Sequence, residues 1–262
     1  MRNVAIVTGA SSGVGREFVR RLGAGAGGPL DEIWLVARSE GRLTEVAGTC
    51  PVPCRIVALD LCDPASFDAL RDELAAWGDV RVQWLVNSAG FGRTGSFADV
   101  PREANADMVR LNCLAVVEAC HAVLPHMGPG SRIVNLASVA GFIPLPRFSV
   151  YSATKSFVID FSCALDADLA GTGIRVTAVC PRWMRTGFEA NLGDEEAFRS
   201  MTFVGFDEVG DVVDRAIRAA LLGCRICCPS PTTRALRVAT RLAPVGLGLA
   251  ALAVLGRVSA RR

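Results

Sequence analysis

The sequence predicts an α/β fold, a doubly wound parallel sheet in a single domain, and three observations predict it. Short apolar runs alternate with helical stretches along most of the chain. The first run ends in a glycine-rich turn that opens a helix. The reactive residue types gather after the carboxyl ends of the strands or on the next helix, where such sheets bind ligands.

Composition agrees. The chain has 262 residues, 51% hydrophobic and 21% charged, enough for a sizeable core and unlike a disordered segment. A net charge of +2 is too small for nucleic-acid binding. Ten cysteines are scattered, several within apolar runs (Cys180, Cys227, Cys228). Arg2-Asn3 leads at once into a strand pattern, without a signal peptide. The expected setting is the reducing cytoplasm, with cysteine as a small hydrophobe. Cys224 and Cys227 have metal or redox spacing, but no second pair or nearby histidine completes a site, and no metal is expected.

Residues 4–7 form a short apolar run, as in a buried parallel strand. Thr8-Gly9-Ala10-Ser11-Ser12-Gly13-Val14-Gly15 follows, then a helical pattern over 16–22. Glycines permit the tight turn, and a helix N-terminus offers free N–H groups to a dinucleotide phosphate. Residues 33–36 form the second strand, ending in Ala37-Arg38-Ser39. An acid at this strand end would hold the ribose 2′-hydroxyl of NAD(H). An arginine can hold a 2′-phosphate, so Arg38 points to NADP(H). Residues 55–59 form the third strand, closing with Asp60-Leu61, and 64–77 a helix. Residues 82–86 form the fourth strand, before Asn87-Ser88-Ala89-Gly90. Residues 104–124 read as one long helix containing Asn112. Residues 132–136 form the fifth strand, before Ala137-Ser138. A helix runs from 151 to about 170, and 175–179 form the sixth strand, ending in Cys180-Pro181.

The helix from 151 opens Tyr151-Ser152-Ala153-Thr154-Lys155. Tyr151 is the only tyrosine, and Lys155 the only lysine among 28 basic residues. At i and i+4 they share a helix face. A neighbouring ammonium favours phenolate and is expected to lower the tyrosine pKa from its usual value of about 10. Such a tyrosine can give or take a proton at a substrate oxygen.

With TGASSGVG at 8–15, NSAG at 87–90, Asn112, Ser138 and YSATK at 151–155, the chain resembles a short-chain dehydrogenase/reductase of the compact type over residues 3–230. The resemblance implies a Rossmann-like domain over 1–230, with 231–262 as a C-terminal extension. It implies Tyr151 as general acid or base, and Lys155 as the group that lowers its pKa and binds the nicotinamide ribose. Ser138 would bond the substrate oxygen, and Asn112 would hold a relay water. Gly9, Ser12, Gly13, Val14 and Gly15 would line the pyrophosphate, with Asp60 and Leu61 at the adenine. Asn87 and Ala89 would shape the cofactor floor, and Thr186 would meet the carboxamide. Two positions depart from the family pattern. Ser88 replaces an asparagine, and Arg182 follows Pro181 where the family has glycine, which would reshape the backbone near the nicotinamide or put a guanidinium near the pyrophosphate or a substrate carboxylate.

The segment 139–148 and the stretch from Trp183 through Phe188, Phe198, Met201 and Phe203 to Phe206 are apolar and aromatic. They point to an apolar, steroid- or lipid-like ketone or secondary alcohol, with lid or interface packing as the competing reading. A 3-oxoacyl thioester delivered by an acyl carrier protein and a catalytically silent NADP(H)-binding sensor are the rival functions. The run 242–256 is uncharged, with Arg234, Arg237 and Arg241 before it and Arg257, Arg261 and Arg262 after it. At about 22 Å it is too short to span a bilayer. Packing over the site or an interface is the leading expectation, and peripheral membrane contact the second. The resemblance also implies a homodimer or homotetramer.

Overall fold

The structure is a computed structural model, and it describes residues 2–189, 192–194 and 205–249. Seven strands form one parallel sheet: β1 (Arg2–Thr8), β2 (Glu32–Ala37), β3 (Cys54–Ala58), β4 (Val80–Asn87), β5 (Arg132–Leu136), β6 (Arg175–Val179) and β7 (Ile226–Cys227). Their spatial order is β3-β2-β1-β4-β5-β6-β7. The order reverses at β1, so a crevice opens between the carboxyl ends of β1 and β4. The sheet is covered on both faces, and β1 shows how. Its alternate residues Ala5 and Val7 pack under α1 (Gly13–Gly23), α2 (Glu40–Ala47) and α7 (Val209–Leu221). Val4 and Ile6 face the other layer, α3 (Ala65–Ala76), α5 (Ala115–Val123) and α6 (Ser149–Asp168). A strand buried on both faces needs the continuous apolar run that the sequence shows.

The long helix expected over 104–124 is interrupted. It begins as α4 (Arg102–Val109), widens to one π turn over Arg110–Leu114, and continues as α5. The extra residue in that turn lets adjacent side chains face the same neighbour. Asn112 Nδ2 reaches Thr154 Oγ1 at 3.1 Å, and the Cys113 thiol reaches the Thr154 carbonyl at 3.8 Å. Among the described residues, α2, α7, the two-residue β7 and α8 (Pro231–Leu242) escaped the sequence reading. The last belongs to the C-terminal extension. It packs on the 3₁₀ turn Val139–Gly141 just after β5. Phe198, Met201, Phe203 and the apolar run beyond residue 249 lie outside the described residues.

Candidate active site

The crevice is a cleft of about 910 Å³ at the carboxyl ends of the strands. At its centre the turn after β1 runs into α1. Gly9 and Gly13 have φ of +66° and +50°, which a side chain would strain. A Cβ on Gly9 would meet the Ala89 amide at 2.8 Å, and one on Gly15 would lie 2.3 Å from the Gly9 carbonyl oxygen. The first intrahelical bond joins the Arg16 amide to the Ser12 carbonyl at 3.2 Å. The amides of Gly13, Val14 and Gly15 precede it and have no partner inside α1. Ser12 caps the helix in extended backbone without spending its hydroxyl on it. Close backbone, free amides and a helix N-terminus fit a dinucleotide pyrophosphate. Ser88 braces this turn from below: its hydroxyl donates to the Thr8 carbonyl at 2.5 Å. The departure from asparagine thus ties the ends of β1 and β4 together.

Arg38, Ser39, Asp60 and Leu61, at the ends of β2 and β3, line the cleft. Arg42 also lines it. Sequence reading missed this residue because it missed α2, which carries it. Ala89 and Thr186 line the cleft, and Thr186 sits directly over Gly13. Asn87 does not. It is 3% exposed, and its amide donates to Asn135 Oδ1 at 2.9 Å beneath the sheet ends. Asn135 passes the chain on to Ser162 at 2.9 Å. Asn87 therefore positions the floor from below rather than forming it.

At one end stand Ser138, Tyr151 and Lys155. Ser138 follows β5 and accepts a bond from the Ala140 amide at 3.1 Å. The Tyr151 phenol lies close enough for the Ser138 hydroxyl to favour its ionised form. Phe148 stacks on the Tyr151 ring at 4.2 Å between centroids, and Phe188 closes from another side at 5.7 Å. The i, i+4 pairing does not depress the phenol as expected. Burial pushes Tyr151 up to about 12, with the Ser138 hydroxyl pulling the other way. Lys155 donates to the Leu136 carbonyl at 2.8 Å, and its ammonium lies 5.6 Å from the Tyr151 ring centroid. Burial lowers Lys155 to about 8. At neutral pH the phenol holds its proton, which makes it a donor toward a carbonyl oxygen.

Asn112 is buried beside this group but spends both side-chain donors. Nδ2 bonds the Phe91 carbonyl at 2.9 Å and Thr154 at 3.1 Å, and Oδ1 accepts from the Phe91 amide at 3.1 Å. These bonds brace the loop after β4 to α6. Arg182 differs from expectation. Its guanidinium and amide both bond Asp207, at 2.8 Å each, so the cation is turned to a carboxylate of its own chain. Among the described residues no cluster of metal-binding side chains occurs.

Serine and tyrosine hydroxyls at one end of the same cleft can grip one substrate oxygen and move one proton. When bound, the nicotinamide of a dinucleotide supplies or accepts the hydride.

Known proteins agree with this geometry. A family model described as short chain dehydrogenase matches residues 3–197. Sulfoacetaldehyde reductase 2 of Chromohalobacter salexigens is 38% identical over 225 residues, 81% of this chain and 87% of the relative. A short-chain dehydrogenase from Sphingobium yanoikuyae in complex with NADPH superposes with a TM-score of 0.77 at 30% identity, covering 94% of each chain. A short chain dehydrogenase/reductase from Burkholderia phymatum in complex with NAD gives a TM-score of 0.78 at 25% identity, covering 92% of each. With residues 3–197 matched and the serine, tyrosine and lysine gathered in one cleft, the chain belongs to the short-chain dehydrogenase/reductase family of oxidoreductases.

Proposed function

We propose that the protein is an NADP(H)-dependent oxidoreductase that interconverts a ketone and a secondary alcohol on an apolar substrate. The observation that carries this reading is the junction of Ser138, Tyr151 and Lys155 with an aromatic enclosure at one end of the cleft and arginines at the other. Tyr151 gives its proton to the carbonyl oxygen in reduction and recovers it in oxidation, while Ser138 holds that oxygen. Lys155 binds the nicotinamide ribose. Arg38, with Arg42 beside it, supports the preference for a 2′-phosphate.

Phe91, Phe148, Trp183 and Phe188 pack around Tyr151, which favours a steroid- or lipid-like carbonyl over a small anion. The sulfonate named for the Chromohalobacter relative would draw on a cation. Arg93 is exposed on the cleft wall, so sulfoacetaldehyde belongs in the same assay. Exposed Val109, Leu114 and Phe157 on the α4–α5 and α6 layer support association of two copies through these helices. The free thiols support a cytoplasmic setting.

The test is oxidation of NADPH and NADH by purified protein against apolar ketones, 3-oxoacyl thioesters and sulfoacetaldehyde, with Arg38→Ala alongside. Turnover of apolar ketones with NADPH is expected, and Arg38→Ala should raise the NADPH KM about 10- to 100-fold with little change for NADH. A preference for NADH removes the Arg38 argument. Faster turnover of sulfoacetaldehyde than of any ketone overturns the apolar substrate.

A further inference from the structure

We infer that α8 and the turn after it form a distal subsite of the substrate cavity, which holds the hydrocarbon end of an elongated ketone or alcohol. The inference rests on the ketone–alcohol reading above. Leu236 and Thr240 of α8, then Val245, Leu247 and Gly248, line the same cleft as Ser138 and Tyr151. They lie beyond residue 197, where the family match ends, so the chemistry of this wall is read from this chain alone.

The wall is fixed at both ends. At its start Ser230 and Thr233 exchange bonds in a capping box, each amide to the other's hydroxyl at 3.2 Å. Arg234 Nε donates to the Cys228 carbonyl at 3.3 Å, tying α8 to the end of β7. At the far end the chain meets the segment after Ser138: a Cβ on Gly248 would lie 2.6 Å from Ile143 Cδ1. The wall therefore closes on Ile143, outside the aromatic group around Tyr151.

Its chemistry is one-sided. None of Arg234, Arg237 and Arg241 lines the cleft. Thr240 is the only polar side chain of this wall, and its hydroxyl is bonded to the Leu236 carbonyl at 2.9 Å. A carboxylate or sulfonate laid here would lose water and gain no partner. A hydrocarbon gains about fourfold in affinity for each methylene fully buried.

The experiment compares 2-butanone, 2-octanone and 2-undecanone with NADPH, in the wild-type chain and in Leu247→Asp and Leu236→Asp/Leu247→Asp. Leu247 is 65% exposed, so the single variant keeps the test valid if the double variant folds poorly. The readout is the ratio of kcat/KM between long and short ketones within each protein, which does not depend on the folded fraction. The wild type should favour 2-octanone over 2-butanone by at least about tenfold, and the variants should bring that ratio to within about threefold. Chain-length dependence in the quenching of tryptophan fluorescence, to which Trp183 contributes from the cleft wall, reads binding without turnover. A chain-length gain that is absent from wild-type turnover and binding, or unchanged in both variants, overturns the subsite. Chain-length-dependent binding that the variants remove, with no turnover, keeps the subsite and overturns the reaction instead.

Discussion

Near the start of α6, Tyr151 and Lys155 are buried, with the Ser138 hydroxyl near the phenol and the Leu136 carbonyl accepting from the ammonium; near its end, Asp166 is buried among donors from three residues. Arg175 Nε and Arg225 Nε each lie 2.8 Å from an Asp166 oxygen, and the Val176 amide donates at 3.0 Å. Burial alone would raise the Asp166 pKa, but these bonds hold it at about 2. At Tyr151 and Lys155 burial wins, and both groups move toward their neutral forms. One helix thus carries a held charge and an unheld pair. The held charge clamps α6 to the amino ends of β6 and β7, away from the cleft. The unheld pair lies in the cleft, where a proton must be able to leave and return.

That contrast predicts which end controls turnover. Tyr151→Phe removes the proton donor while keeping the ring that stacks on Phe148. NADPH oxidation with a ketone should fall by about 10³-fold, with the melting temperature and NADPH affinity nearly unchanged. Turnover within tenfold of wild type would remove Tyr151 from the chemistry.

Lys155 sharpens the comparison through pH. Its folded pKa is lowered to about 8 from an ordinary 10.5. Below pH 8 the fold bears the full cost of a buried ammonium. Between pH 8 and 10.5 the folded chain has released a proton that the unfolded chain still binds, so this group makes stability rise with pH. Cys113, Cys120 and Cys227, raised by burial to between about 11 and 12, lose stability as pH rises from 9. The readout is therefore the difference in unfolding free energy between wild type and Lys155→Met. It should move in favour of wild type across that window, by a few kcal/mol. A flat difference would mean that Lys155 is not desolvated.

Much of this site was legible because its chemistry is local in sequence. The turn at 8–15 needs its glycines within eight residues, and Tyr151 and Lys155 lie one helical turn apart. What sequence did not show depends on distant partners. Asn87 turns away from the cleft because Asn135, 48 residues on, receives its amide. Lys155 is drawn to the carbonyl of Leu136, 19 residues back. Arg182 meets Asp207 across 25 residues. The strand limits were read within a few residues, since an apolar run ends where burial ends. The place of α8 was not: its arginines and apolar residues alternate as on any amphipathic helix, and only the packed fold puts Leu236 on the cleft.

At the far end of α6, Asp166→Asn tests the clamp. The variant keeps the shape of the side chain but removes the charge between two arginines. Those arginines are 38% and 57% exposed and can turn to water, so the loss is below that of a fully buried broken pair. About 2 kcal/mol is expected at pH 7, or about 4–8 °C in melting temperature. Turnover per folded molecule should stay within about twofold. A loss of turnover without a loss of stability would reverse the roles of the two ends.

The smallest effect is the same comparison repeated in acid. Asp166 has a folded pKa of about 2 against an ordinary 3.8. Its contribution is therefore complete above pH 4 and lost as pH falls toward 2, because the unfolded chain takes up the proton first. Wild type and Asp166→Asn should differ at pH 5 and converge by pH 2, leaving less than about 1 kcal/mol between them. Denaturant unfolding at pH 5, 4, 3 and 2 measures this directly. Parallel loss in both proteins would place the acid sensitivity in other carboxylates, and the clamp would then hold by packing rather than by charge.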